Sequence, residues 1–436
     1  MWLFQSKQQN DTLPASQVYD NSITSYQIQN EPVISYKSRF STKWDLLDAE
    51  IKKTSKKVSV LKPYIYESEE NLTIEIIKKM KTLRHPNILS WLAGTEINSQ
   101  VKRVSDIFVI VEHSTPLSSY LVKNSDSANF NLIVSWGLFQ VTRALAFLNE
   151  NCSLNHNAIN VSSIFINDSG EWKIGVLDFV SPSNEDSPVD KSSVYYPKDG
   201  KNVDSWGLAC LMWECFNPRK LMSRNNLIDD IGRIPKNLLK SYQMLLKPNR
   251  ITVPKFLQLA RQKSGGFYCN EYIDVLIFLE EIQIKDKEEK IEFMNNLGDK
   301  LHLYPDEIAK NKILPHLVQN LQLGCAGIEA LVPVLSISNL LEQKDFESTV
   351  LPCLLKLFDA PDRMTRVKLL EQLPKFVQNI SEKIVSNQIY PSIAIGFQDS
   401  NPVVREATMK AMIPISSKLS KKLLNESVSK NLVNLQ

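Results

Sequence analysis

The stretch Cys152–Asp168, CSLNHNAINVSSIFIND, decides the fold. A polar loop around His156 runs into a short apolar strand, Ile164-Phe165-Ile166. DSGE (168–171) then turns the chain into WKIGVL (172–177), so the two apolar pieces read as a hairpin. Upstream, LIVSWGLFQVTRALAFLN (132–149) sets Val134, Leu138, Val141, Leu145 and Leu148 at steps of four and three, one apolar stripe on a long helix. Downstream, VDSWGLACLMWECF (203–216) is apolar nearly all round, the pattern of a helix buried in a large domain. Before these lie β-like pieces, SYQIQ (25–29), KVSVL (57–61) and DIFVIVEH (106–113), with helical spacing in NLTIEIIKKMKTL (71–83). The order predicts a β-rich small lobe over about 1–113 and a helical large lobe over about 114–262.

A polar loop so placed is similar to the catalytic loop of protein kinases, H-R-D-L-x-x-x-N followed by a short strand. His156 stands for the His. Ala158 stands where an Asp takes the substrate proton, and Ser163 where an Asn holds a metal ion. A positioned general base contributes roughly 10²–10⁴-fold, and a methyl group cannot replace it. The phosphate cover needs glycine, because only glycine lets backbone N–H groups come so close; the first glycine here is Gly94. The strand lysine position holds Leu61, and adjacent Lys62 points to the other face of a strand. The helix glutamate position holds Ile76, and Glu75 lies about 100° round the helix. The metal-binding D-F-G triplet has two registers, Val176-Leu177-Asp178 and Asp178-Phe179-Val180. The first keeps WKIG in phase with the strand and is preferred. It leaves no Mg²⁺ ligand, and no cofactor is expected. Structural landmarks persist: Asp204 at the start of the buried helix, to support the loop backbone, and Arg250, to pair with Asp199 of YPKD.

The six cysteines (152, 210, 215, 269, 325, 353) form no C-x-x-C pair and read as reduced thiols, with no zinc site or disulfide framework. A net charge of +3 does not by itself argue for nucleic acid or an anionic membrane. Met1-Trp-Leu-Phe turns polar too soon for a signal peptide, and no apolar run is read as reaching the roughly 20 residues of a membrane span. An intracellular, peripheral protein is expected.

RQKSGGFYCN (261–270) reads as a joint, with a connecting segment over 263–286. Beyond it Pro315, Pro352 and Pro391 lie 37 and 39 residues apart (315 to 352, 352 to 391). Arg366 and Arg405, and Phe358 and Phe397, repeat at 39. Such a period with paired amphipathic helices predicts a HEAT-type α-solenoid over 287–436, of about four repeats and read as cut short at Gln436.

With these residues the chain resembles the Scy-like, or N-terminal kinase-like, pseudokinases, a degenerate kinase domain joined to HEAT repeats. The carrying stretches are MWLF (1–4), KTLRHPNIL (81–89), SWGLFQVTRALAFL (135–148), CSLNHN (152–157), GEWKIGVLD (170–178), GGFYCNEYIDVLIFLEEIQIK (265–285) and FQDSNPVVRE (397–406). The resemblance implies a non-catalytic scaffold at the Golgi and on coated vesicles, with coatomer in Golgi-to-ER retrieval or with clathrin adaptors; some relatives serve nuclear tRNA export. Coatomer-binding relatives end in a basic retrieval-like tail, whereas this chain ends NLVNLQ. Two alternatives stay open. One is an atypical active kinase with Asp178 on the metal and Lys62 turned inward. The other is a tRNA-binding export adaptor using Lys418, Lys421 and Lys422, or Lys52, Lys53, Lys56 and Lys57.

Overall fold

The computed structural model describes residues 19, 21–37, 43–64, 70–95, 107–247, 250–262, 266–324 and 327–428. MWLF (1–4), Gly265, Cys325 and the final NLVNLQ lie outside them. The chain divides into two compact units, residues 1–269 and 270–436.

The first unit opens with a six-stranded antiparallel sheet: β1 Tyr26–Ile28, β2 Ile34–Lys37, β3 Lys43–Ile51, β4 Lys57–Tyr64, β5 Trp91–Gly94 and β6 Val109–Glu112. The order is β1-β3-β4-β6-β5, with β2 also on β3. Strand alternation sends Leu47, Ala49, Val58 and Val60 into one cluster with Phe108 and Ile110. Trp44, Leu46, Leu61, Val109 and Val111 are buried on the opposite face, and Leu61 lies between Leu46 and Val109 in register. Both faces are therefore apolar. Helix α1, Glu70–Thr82, buries Ile76, Ile77 and Met80.

The sheet passes into the large lobe through one residue. β6 ends at Glu112, and β7, Ser114–Pro116, already pairs with β9, Ile164–Asn167, of a second sheet. His113 stands between. Its Nδ1 lies 2.5 Å from Asp168 in the large-lobe hairpin, and its Nε2 lies 3.6 Å from Asp48 on β3. The hydrogen bond to Asp168 raises the His113 pKa, with both carboxylates adding to the effect and burial and Lys57 opposing it.

After α2, Leu117–Asn124, helix α3, Phe130–Ala146, crosses the lobe and continues one π-helical turn to Asn151. Its Gly137 carries no side chain because the Trp172 ring lies against it: a Cβ there would sit 1.9 Å from Trp172 Cε2. Gln140 Oε1 accepts from the Trp172 N–H at 2.9 Å, which fixes β10, Trp172–Ile174, on the helix. The continuous helical stretch Phe130–Asn151 has 22 residues and enough apolar character to cross a membrane, contrary to the expectation that no run reached that length. Its apolar window is 78% buried within the protein, so the composition reflects a core position. Helix α4, Val203–Phe216, is buried along its length except at Glu214. The described cysteines are all free.

The second unit is mostly helical. Pro315 and Pro391 each follow a π-helical turn (Ala309–Ile313, Val385–Ile389) within a continuous helical run, where the widened turn accommodates the N–H that proline lacks, and Pro352 stands just after Val350, where Gln343–Thr349 meets Leu351–Phe358. Leu314–Gln322 packs on Leu351–Phe358. The helices that follow, Leu331–Ser338, Arg363–Phe376 and Pro402–Ile415, pack on one another in turn. Arg366 lies 3.9 Å from Asp399, and Arg405 donates to the Asp399 and Ser400 carbonyls.

Two outcomes follow from this packing. Gly137→Ala must displace Trp172 and should lower unfolding stability by about 2–3 kcal/mol in urea titrations, the usual cost of overpacking. His113 has a folded pKa above its unfolded value. Its contribution is therefore complete below the unfolded pKa and is lost as pH rises through the folded one. The stability difference between wild type and His113→Gln should shrink as pH rises above the ordinary histidine value of 6.5.

Candidate functional site

The loop after α3 is held from below. Short strands β8, Leu154–Asn155, and β11, Ser181–Pro182, pair across its base. Asp204, in the first turn of α4, accepts from the backbone N–H of His156 at 2.9 Å and of Asn157 at 2.8 Å, and from Asn149 Nδ2 at 2.8 Å. A carboxylate at a helix N-terminus is further favoured by the helix dipole. Asn157 takes a left-handed backbone, φ 68°, and its side-chain amide donates to the carbonyls of Asn155 and Phe179 and to Ser181 Oγ. His156 is fully buried. Its Nε2 lies 2.9 Å from the Gly175 carbonyl and its Nδ1 accepts from the Ala158 N–H at 3.3 Å. Burial pushes its pKa down, so it is a neutral packing residue with Nε2 protonated.

Ala158, Ser163 and Val176 line one cavity of about 210 Å³ together with Phe179 and Tyr195. Ser163 Oγ accepts from the Asn160 N–H at 3.1 Å and donates to the Asn160 carbonyl at 2.9 Å, closing a tight turn. Val176 has a left-handed backbone, φ 54°, an unusual state for a β-branched residue. Asp178 does not line this cavity. It is 2% exposed, its Oδ1 accepts from Trp44 Nε1 at 3.1 Å, and its Oδ2 has no hydrogen-bond partner among the described residues. Burial pushes its pKa up to about 6. The indole of Trp44 thus reaches from the small-lobe sheet to the segment after β10. Leu61 is buried in the sheet, while Lys62 is half-exposed on the other face; Ile76 is buried and Glu75 exposed.

Arg250 Nη1 donates to Asp199 at 2.8 Å, and its guanidinium lies over Trp206. Glu214 is the polar exception on α4. It accepts from the Val161 N–H at 2.9 Å and from the Tyr195 hydroxyl at 2.5 Å, and burial raises its pKa. Of the lysines considered for nucleic acid, Lys418 donates to the Gln378 and Ile380 carbonyls, Lys52 to the Thr24 carbonyl and Lys56 to the Tyr19 hydroxyl. Lys53, Lys57, Lys421 and Lys422 are exposed.

Sequence reasoning passed over Trp44, His113, Tyr195 and Glu214. Only Glu214 carried a signal, one carboxylate in an otherwise apolar helix.

A small-lobe sheet, a single-residue crossover and a braced loop above a buried helix define a protein-kinase-like molecule. No family model matches the chain. It is 34% identical over 370 residues to a Dictyostelium discoideum protein named probable inactive serine/threonine-protein kinase scy1, which covers 80% of this chain and 43% of that protein. It is 26% identical over 405 residues to cytoplasmic export protein 1 of Saccharomyces cerevisiae, covering 85% of this chain and 50% of that protein. The crystal structure of Cex1p has the same fold over 94% of this chain and 76% of its own, with a TM-score of 0.65 at 23% identity. The chain belongs to the SCY1-like pseudokinase family over most of its length. It spans about half the length of the curated relatives it matches.

The buried carboxyl of Asp178 has a pH signature. Its folded pKa of about 6 lies above the unfolded value, so the ionised form burdens the native state above pH 6 and the burden fades as pH falls towards 4. Asp178→Asn keeps an acceptor for Trp44 and should raise unfolding stability by roughly 2–3 kcal/mol at pH 8. In urea titrations at pH 4 the gain should be close to nil.

Proposed function

We propose that the protein is a catalytically inactive pseudokinase that works as a scaffold or adaptor in intracellular vesicle traffic. One observation carries this reading. Asp204 braces the loop as if for chemistry, yet the positions that face the cavity are a methyl (Ala158), a hydroxyl locked into a turn (Ser163) and an isopropyl group (Val176). None can take a proton from an acceptor hydroxyl and hold Mg²⁺ against the charge of a triphosphate. The name of the Dictyostelium relative, a probable inactive kinase, supports the same reading.

The helical unit fits a HEAT-type array. Pro315, Pro352 and Pro391 fall at matching places in successive helices, and helices of like kind pack on one another. Solenoids offer extended surfaces for partner proteins. By family resemblance the partners are coatomer or clathrin-associated proteins at Golgi and ER–Golgi membranes, on the cytoplasmic side. A second reading, tRNA export, comes from the family resemblance, and the name of the yeast relative, cytoplasmic export protein 1, supports an export role.

The full chain should show no thermal shift with millimolar Mg-ATP and should capture purified coat subunits with no nucleotide present. Transfer of labelled phosphate to any acceptor, lost in Asp178→Asn, would overturn the inactive assignment. Salt-sensitive retention of tRNA with no coat-subunit capture would favour export.

A further inference from the structure

Between Arg219 and Lys247 the chain carries seven lysines and arginines against two aspartates, an excess of five, whereas the whole chain has a net charge of +3. This stretch follows α4 and forms a short helix α5, Asn226–Asp229, a turn, and helix α6, Lys236–Leu246. Helix α6 is amphipathic: Leu238, Tyr242 and Leu245 are buried, and the helix packs on α4. Its outer face holds Lys236, Asn237, Lys240 and Gln243, all exposed, and the helix has no carboxylate. Lys236 and Lys240 lie about 40° from one another round the axis. Lys247, also exposed, follows at the helix end.

Polar contacts fix this surface in place. The Tyr242 hydroxyl donates to the Leu227 carbonyl at 2.7 Å, which ties α5 to α6. Asn217, at the end of α4, donates from its amide to the Trp213 carbonyl at 2.9 Å and accepts from the Arg233 N–H at 3.2 Å. Lys220 and Arg233 both stand at a cavity of about 910 Å³ between α2, the start of α3 and the end of α4, so the turn before α6 lies beside the segment after α4. Charge on the face is unbalanced. Arg219 pairs with Asp230, and Arg224 donates to the carbonyls of Lys191, Ser193 and Tyr196. Lys220, Arg233, Lys236, Lys240 and Lys247 are exposed and make no ion pair among the described residues; against them stands the exposed carboxylate of Asp229. Two large apolar side chains in the same stretch are open to water, Met222 at 73% and Ile228 at 61%.

We propose that this face adsorbs to an anionic phospholipid bilayer, with the five cations over the lipid headgroups and Met222 and Ile228 entering the interface. Clusters of about four to eight lysines and arginines beside a bilayer are drawn to its anionic leaflet, and apolar side chains add to that binding by leaving water. A nucleic acid would satisfy the cations but leave both apolar side chains in water. The exposed Met222 and Ile228 therefore favour lipid. The inference goes beyond the adaptor reading, which calls for a coat partner and not for lipid.

The test is co-sedimentation of the full chain with vesicles of phosphatidylcholine containing about 30% phosphatidylserine, against vesicles of phosphatidylcholine alone. The anionic vesicles should bring the protein down and the neutral ones should not. Raising salt from about 0.1 M to about 0.5 M should weaken the binding at least tenfold. Lys236→Glu with Lys240→Glu and Lys247→Glu should also weaken it at least tenfold. Lys53→Glu with Lys421→Glu and Lys422→Glu makes the same change of net charge elsewhere and should leave binding within twofold of wild type. Ile228→Asn should weaken it at least threefold. All seven positions are exposed, so these variants should keep the wild-type melting temperature. No binding to the anionic vesicles, equal loss in the two lysine triples, or wild-type binding by Ile228→Asn would overturn the proposal. So would a labelled tRNA that displaces the protein from the vesicles. Coat-subunit capture read in parallel separates the two claims: capture without vesicle binding sinks the lipid face alone, and vesicle binding without capture sinks the coat-adaptor role alone.

Discussion

The carboxylate of Asp204 is the fixed point of the first unit. Two consecutive backbone N–H groups and the Asn149 amide converge on it. The two backbone donors are buried, and without the carboxylate each would lack a partner, at about 1–3 kcal/mol apiece, whereas Asn149 also donates to the Leu154 carbonyl. The same residue begins α4, the helix around which the large lobe is packed. One side chain therefore ties the loop to the core, and the loop in turn sets Ala158, Ser163 and Val176 on a common cavity. The need to satisfy that loop backbone explains why the geometry is kept when the groups facing the cavity are not.

The cleft shows what takes over where reactive side chains are lacking. Ser163 completes a turn with Asn160. Asp178 is drawn out of the cavity into an apolar seam, where Trp44 gives it one hydrogen bond and leaves one oxygen unmet. A charged carboxylate there is unfavourable, and burial dominates its pKa. Contacts of this kind favour shape over reactivity.

The parts legible in the sequence were those with a period or a local pattern. The Ile164–Ile174 hairpin followed from its apolar pieces and the DSGE turn, and α4 from its unbroken apolar run. The prolines of the helical unit were visible because they recur at nearly equal spacing. What escaped depends on distant pairing. Trp44 meets a carboxylate 134 residues away, and no spacing rule connects them. His113 looked like the end of a strand; its role comes from Asp48 and Asp168, which the fold alone brings together. No apolar run was expected to reach membrane length, yet Phe130–Asn151 does; folded, its apolar window is mostly enclosed. The cavity of about 910 Å³ was invisible for the same reason, since α2, α3 and α4 each supply part of its wall.

The passage from β6 to β7 through a single residue has a mechanical consequence. Jaws that open and shut need slack in the connecting chain, because a hinge is a few residues able to absorb large backbone rotations. Here the ladders of two sheets leave one residue between them, and that residue is gripped on both sides. A twist applied to the small lobe is passed on to the large one rather than absorbed.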